Sequence, residues 1–443
     1  MPNRARRSAF LLAATLASFL SAGAADAKVT VLGWPGGPEE AALRAAADAY
    51  NAKSDTAEAD KVDLLFFNRE GFWDKLQADL AAGTTAFDAN LLATYSIGRY
   101  APFMEPVELD PSAAKVVGEP VLKTMQFEGR QYGVPTDLSM HFLYFRKDLV
   151  DALLASDEAK ATYAKIAKER LGLDLQPKAP ADWTWDDFAA TALYFTKAVN
   201  PDSPTRYGTV LQMKNLLFNM MVFQSLPRAY GGNWEDASGK VSVDSPAYRH
   251  GLELYKMLTD AGATPKDSLS YEFAEANAAF ASGQVAAMVQ WNAAAPVLTD
   301  PNQSPAVAET TATVPPPAGP DGRFTHIHSL GLGLSKTAPN KAGAAKFLRW
   351  MSTEEAALAY AKAGGAPALT AEVAAKIATE RPDLVPLGEY AVKYGFVMNG
   401  ATSANALSVY ELQAKEFTGY WSGQRSLDEA LKATETGMAD LLK

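Results

Sequence analysis

The chain has 443 residues, 48% hydrophobic and 10% aromatic, a composition that excludes a disordered tether and suits a compact protein of about two domains. Its 51 acidic against 41 basic residues leave a formal net charge of −10, which works against nucleic acid and anionic membranes as partners. Cysteine is absent, so neither disulfides nor a thiol for lipid attachment are available, and a chain of this length buries enough apolar surface without cross-links.

The first 27 residues read as a cleavable secretion signal. Arg4, Arg6 and Arg7 come first, then an apolar run over residues 9–20, then Ala25-Asp26-Ala27 with cleavage expected after Ala27. The run is shorter than the roughly 20 residues that cross a bilayer. Arg6-Arg7 raises the twin-arginine route, but Phe10-Leu11 lies one place too far along for that pattern, so export unfolded is expected. Loss of this leader leaves the remainder more acidic and soluble.

Next come a strand at 29–32, a helix at 39–53, a strand at 62–67, a helix at 72–82 and a strand at 89–93. This βαβαβ order predicts a parallel sheet covered by helices, with ligands outside the carboxyl ends of its strands. Those ends are Gly33-Trp34-Pro35-Gly36-Gly37, Asn68-Arg69-Glu70 and Thr94-Tyr95-Ser96. A polar crossing at 131–137 leads to a strand at 141–145 and a second lobe. There Thr184 is the expected N-cap of a helix, answered by Asp187. Helices at 215–224, 246–261 and 274–282 precede a strand at 286–290. The Pro315–Pro320 region reads as a stiff loop, 325–334 as a strand, 341–351 as a helix, and the rest as mostly helical.

Several stretches together carry a resemblance. They are Tyr132-Gly133-Val134-Pro135, Tyr144-Phe145-Arg146-Lys147-Asp148-Leu149, Thr184-Trp185-Asp186-Asp187, Tyr230-Gly231-Gly232, Phe280 through Trp291-Asn292, and Lys336-Thr337-Ala338-Pro339-Asn340 running into 341–348. In order and spacing the region after the signal resembles the family 1 extracellular solute-binding proteins of ABC importers, the group that includes maltose-binding protein. The resemblance implies an α/β fold of two lobes, each a mostly parallel sheet flanked by helices, with the ligand cleft at the hinge. It implies lobe 1 from 28–137 and 328–383, and lobe 2 from 138–327 and 384–443, with crossings near 135–140, 324–330 and 380–387. It also implies a monomer in the periplasm, a small carbohydrate ligand, delivery to the transmembrane subunits of a permease, and no catalytic residue, cofactor or metal.

A sugar shows hydroxyls at its rim and C–H groups on its faces, so its site needs aromatic plates beside hydrogen-bonding side chains. Trp291 and Asn292 follow the strand at 286–290, where relatives place a stacking aromatic. Trp34 lies beside Gly36 and Gly37, which let backbone approach a ligand. Thr94 and Tyr95 end the third strand. Asp137, at the hinge, either accepts two sugar hydroxyls or makes a hinge hydrogen bond. Phe218 precedes Gly232 in a region that gives relatives an aromatic wall, with core packing the other reading of Phe218 and Phe223. His326 and His328 share a strand face, a spacing that suits a metal, but His328 with Ser329 is the expected cleft contact. Ala366 and Asn399 occupy C-terminal positions that reach the cleft in relatives. Arg69 is the one obvious basic candidate among these segments, so a neutral saccharide or polyol is expected. A secreted glycoside hydrolase, with carboxylates drawn from Glu39, Glu70 and Asp137, and a polyamine, peptide, phosphodiester or iron-chelate binder are the competing readings.

Overall fold

The computed structural model describes residues 28–68, 71–83 and 86–443; the expected signal and the candidates Arg69 and Glu70 lie outside the described residues. In chain order the main strands are β1 (Val29–Gly33), β2 (Val62–Phe66), β3 (Ala89–Ala93), β4 (Met104–Glu105), β5 (Gly133–Ser139), β6 (His141–Arg146), β7 (Tyr207–Thr209), β8 (Val285–Trp291), β9 (Thr311–Val314), β10 (Thr325–His326), β11 (His328–Ser335) and β12 (Gly395–Phe396).

Lobe 1 is built on a six-stranded sheet in the order β2-β1-β3-β11-β4, with β5 also on β11. β1 is parallel to β2 and β3, and the helices Gly37–Asn51 and Phe72–Ala82 make the crossovers. The first helix starts where Gly36 takes φ +81°, a left-handed conformation that a side chain would strain. Its first turn carries Glu39 and Glu40, favourable at the positive end of the helix dipole, and the Gly36 N–H donates to the Glu40 carboxylate at 2.6 Å.

Parallel pairing ends at β3, because β11 arrives from the hinge and runs antiparallel to β3, β4 and β5. The β5–β11 ladder shifts register between Leu330 and Gly331, opposite Pro135, which has no N–H to donate. Only a glycine fits there: a Cβ on Gly331 would lie 2.3 Å from the Val134 carbonyl oxygen.

Lobe 2 holds a four-stranded sheet in the order β9-β6-β8-β7. Its expected parallel character is confined to β7 on β8; β6 is antiparallel to both β8 and β9. The cause is the hinge itself. β6 leaves the cleft end of the sheet, while β8 runs back toward that end and delivers Trp291 there, opposite His141.

The stretch expected as one strand over 325–334 is two. β10 pairs in parallel with β12, the Ile327 N–H donates to the Phe396 carbonyl at 2.9 Å, and β11 then joins the lobe-1 sheet. Residues 380–387, expected as a crossing, are a short turn, Pro382–Leu384, entering the helix Val385–Tyr394. The Thr184 cap forms as a capping box on the helix Trp185–Tyr194: Asp187 N–H donates to Thr184 Oγ1 at 3.2 Å and Thr184 N–H to Asp187 Oδ2 at 2.9 Å. The helices Ala406–Trp421 and Leu427–Leu441 follow, and the first packs on the helix Leu217–Phe223 and its C-cap, with Phe417 on Phe223 at 5.8 Å and Gln413 accepting from Gln224 at 2.8 Å. Phe223 is therefore core.

Candidate functional site at the lobe junction

The strand ends place a continuous chain of rings between the lobes. In lobe 1, Trp34 meets Phe72 and Trp73 edge-on at 5.4 and 5.7 Å, and Trp73 meets Tyr95 at 5.8 Å. Edge-to-face contacts of this kind are the favourable geometry for aromatic quadrupoles. Tyr95 then touches His328 at 5.2 Å and reaches Phe218 of lobe 2 at 6.3 Å. From the lobe-2 side, Trp291 lies 4.2 Å from its cross-strand partner His141 and 5.2 Å from His328. His326 closes the group, 6.3 Å from His141 and 6.0 Å from His328, with its Nε2 paired to the Tyr410 hydroxyl at 2.8 Å.

All three imidazoles are buried, and burial holds them uncharged: His326 is pushed down to about 3, and His141 and His328 fall well below the usual histidine range, helped by the neighbouring imidazoles. Both ring nitrogens of His141, and Nδ1 of His326 and of His328, have no hydrogen-bond partner among the described residues.

A second polar cluster lies on β5. The Asp137 carboxyl accepts from the Tyr360 hydroxyl, from the Ala366 N–H at 2.8 Å and from Thr136 Oγ1 at 3.3 Å. Burial, and after it the nearby Glu39, pushes its pKa up to about 7. The Ala366 carbonyl in turn accepts from the Leu138 N–H at 2.9 Å. Arg381 secures this loop by donating to the carbonyls of Ala361 and Gly365 at 2.5 and 2.8 Å.

Of the sequence-derived candidates, Trp34, Tyr95, Phe218, Trp291 and His328 come together in one ring chain. Thr94 and Ser329 lie beneath it, where the Ser329 N–H donates to Thr94 Oγ1 at 2.9 Å and Thr124 donates to the Ser329 hydroxyl at 2.6 Å. Gly36 and Gly37 form the turn into the first helix. Asn292 spends its side chain on the hinge, accepting from the Met140 N–H at 2.9 Å and donating to the Leu138 carbonyl at 3.2 Å. Asp137 and Ala366 bond to each other as above. Gly232 donates to the Pro227 carbonyl at 2.9 Å, closing the helix Ser225–Ala229. Asn399 is exposed and donates to the Glu235 carbonyl at 3.1 Å.

Sequence reasoning passed over Trp73, His141 and Tyr410. Trp73 sat inside a helical periodicity. His141 opens an apolar strand, and only the register of β6 on β8 sets it against Trp291. Among the described residues no group of three His, Cys, Asp or Glu could hold a metal ion, and no helix is long and apolar enough to cross a membrane.

Two mixed α/β lobes, joined by crossing segments around a ring-lined junction, define a two-lobed binding protein. The chain belongs to the bacterial extracellular solute-binding protein family, whose model matches residues 45–386. A relative from Brucella abortus (strain 2308), named as a binding protein, is 25% identical over 291 residues, 63% of this chain and 62% of that one. The chain thus matches about three fifths of that relative's length. Among solved structures, a maltose-bound protein of T. maritima superposes with a TM-score of 0.73 at 22% identity, covering 94% of this chain and 99% of the other. An ABC transporter solute-binding protein of Agrobacterium radiobacter K84 in complex with ribitol gives 0.71 at 17% identity, covering 94% and 98%. These likenesses establish the two-lobed fold.

Proposed function

We propose that the protein is the solute-capturing component of an ABC importer, working in the periplasm after export by its leader, and delivering a neutral carbohydrate to the membrane permease. The solute is a mono- or oligosaccharide or a polyol. The observation that carries this reading is the ring chain from Trp34 to Trp291, drawn from both lobes, with uncharged imidazoles among the rings. Rings stack on the C–H faces of a sugar, and imidazole nitrogens meet its hydroxyls. Capture by closure of two lobes is an established repertoire for such folds, and solute favours the closed form by its difference in affinity for the two states. The protein works as a monomer without cofactor.

Asp137 is taken up by Tyr360, Thr136 and Ala366, which argues against a catalytic carboxylate pair and for simple binding. Titration calorimetry and tryptophan emission against a panel of saccharides and polyols test the reading. A bound sugar quenches or shifts emission through Trp291; a panel that changes neither emission nor melting temperature rejects it. Turnover of chromogenic glycosides would favour the hydrolase instead.

A further inference from the structure

We propose that His141, His326 and His328 are the polar contacts of the bound solute, and that protons and solute compete for the same ring nitrogens, so that acid releases the solute. The inference rests on the reading of the junction as the solute site and names which atoms read the solute there.

Three separate segments bring these side chains together: the start of β6, the short strand β10 and the start of β11, all at points where the chain passes between lobes. Their relative exposures are 0%, 1% and 4%, yet four of their ring nitrogens meet no partner among the described residues. Buried polar groups in folded proteins are almost always paired. Here two of the rings, His141 and His328, flank Trp291, and His326 lies 6.3 and 6.0 Å from them, so one solute with hydroxyl groups would supply the partners.

The surroundings fix the charge state. Among the described residues, the titratable side chains in ring contact or hydrogen-bonded with the three imidazoles are the phenols of Tyr95 and Tyr410, and the other ring neighbours are Trp291 and Phe396. None of these contacts is a carboxylate, so an imidazolium has no counter-ion in the group. A neutral imidazole offers one N–H donor and one acceptor nitrogen, and a hydroxyl can answer either. A cationic solute finds no carboxylate on these rings. An anionic solute would instead favour their protonated form and bind more tightly in acid.

The linkage has a definite sign. In an opened cleft an imidazole facing water titrates near about 6.5. In the closed form all three stay neutral, so closing on solute expels protons once the pH is below that value. Affinity is full above about pH 6.5 and falls beneath it, by up to about tenfold per pH unit for each imidazole protonated.

The experiment uses the mature chain. A panel of neutral saccharides and alditols, from ribitol to maltotetraose, is titrated calorimetrically at about pH 7.5, and the tightest binder is repeated at about pH 5.5 with circular dichroism verifying the fold. The expected result is at least a tenfold weaker Kd in acid, with proton release seen as a heat that depends on the buffer's ionisation enthalpy. His328→Gln keeps an amide that donates and accepts, and should flatten the pH profile by about one proton. Because the buffer measurement needs no variant, a misfolded His328→Gln leaves the test intact. A binder whose Kd is unchanged or tighter at about pH 5.5 overturns the imidazole assignment alone. A panel with no binder at about pH 7.5 overturns the reading of the site, and this inference with it.

Discussion

At Asp137 both carboxyl oxygens are engaged by the protein's own donors, whereas in the group of His141, His326 and His328 beside Trp291 four ring nitrogens meet none among the described residues. The two clusters are equally deep: Asp137 is 6% exposed and His328 4%. Depth therefore does not distinguish the two clusters, but satisfaction does. A paired buried network rigidifies a fold, while an unpaired one costs stability unless something else completes it.

The sharpest way to break this contrast is Asp137→Ala, which strands the Tyr360 hydroxyl and the Ala366 N–H. It should lower unfolding free energy by about 3 kcal/mol in urea titrations. If it abolished solute binding without loss of stability, Asp137 would move to the solute side of the comparison. Asp137→Asn adds a pH test. A carboxyl whose pKa is raised in the fold contributes stability in its neutral form, and that contribution is lost as pH rises. Between about 4, the unfolded value, and about 7, the folded value, the native protein should lose stability relative to Asp137→Asn.

Tyr360→Phe removes one donor from the same carboxyl and should cost about 2 kcal/mol of stability, read by thermal or urea unfolding, with affinity unaltered. Phe218 is only half-buried and faces Tyr95 across the junction. Phe218→Ala should weaken saccharide binding about tenfold, or about 1.4 kcal/mol, by calorimetry. Stability falling with affinity unchanged would return Phe218 to the core. At the small end, Thr184→Ala deletes a helix cap remote from both clusters and should cost about 1 kcal/mol, leaving Kd where it was.

Much of the fold was legible because its signals are local. Residues 72–82, 89–93 and 341–351 have the bounds their periodicity predicts, and the Thr184–Asp187 box follows from two side chains three residues apart. The split at Ile327 is easily passed over: 325–334 reads as one strand although its apolar positions change phase between Ile327 and Leu330, next to the point where the chain changes sheets. Strand direction in lobe 2 was hidden, since it depends on where β6 leaves the hinge. The site divides the same way. Trp34, Tyr95 and Trp291 follow strands, so their place at sheet ends could be read directly. The encounter of His141 with Trp291 needs a register set across more than a hundred intervening residues, and Trp73 was concealed by its own helix.

Asn292 gives Trp291 an unusual attachment. Its side chain holds Leu138 and Met140, and its own N–H donates to the Met140 carbonyl at 2.9 Å, so the residue after the indole is sewn to the one-residue link between β5 and β6. Trp291 is thereby an axle fitting, not a passenger on a swinging arm. Probes fixed to the outer rims of the lobes should register opening and shutting, while the indole of Trp291 should report chiefly whether a solute is bound against it.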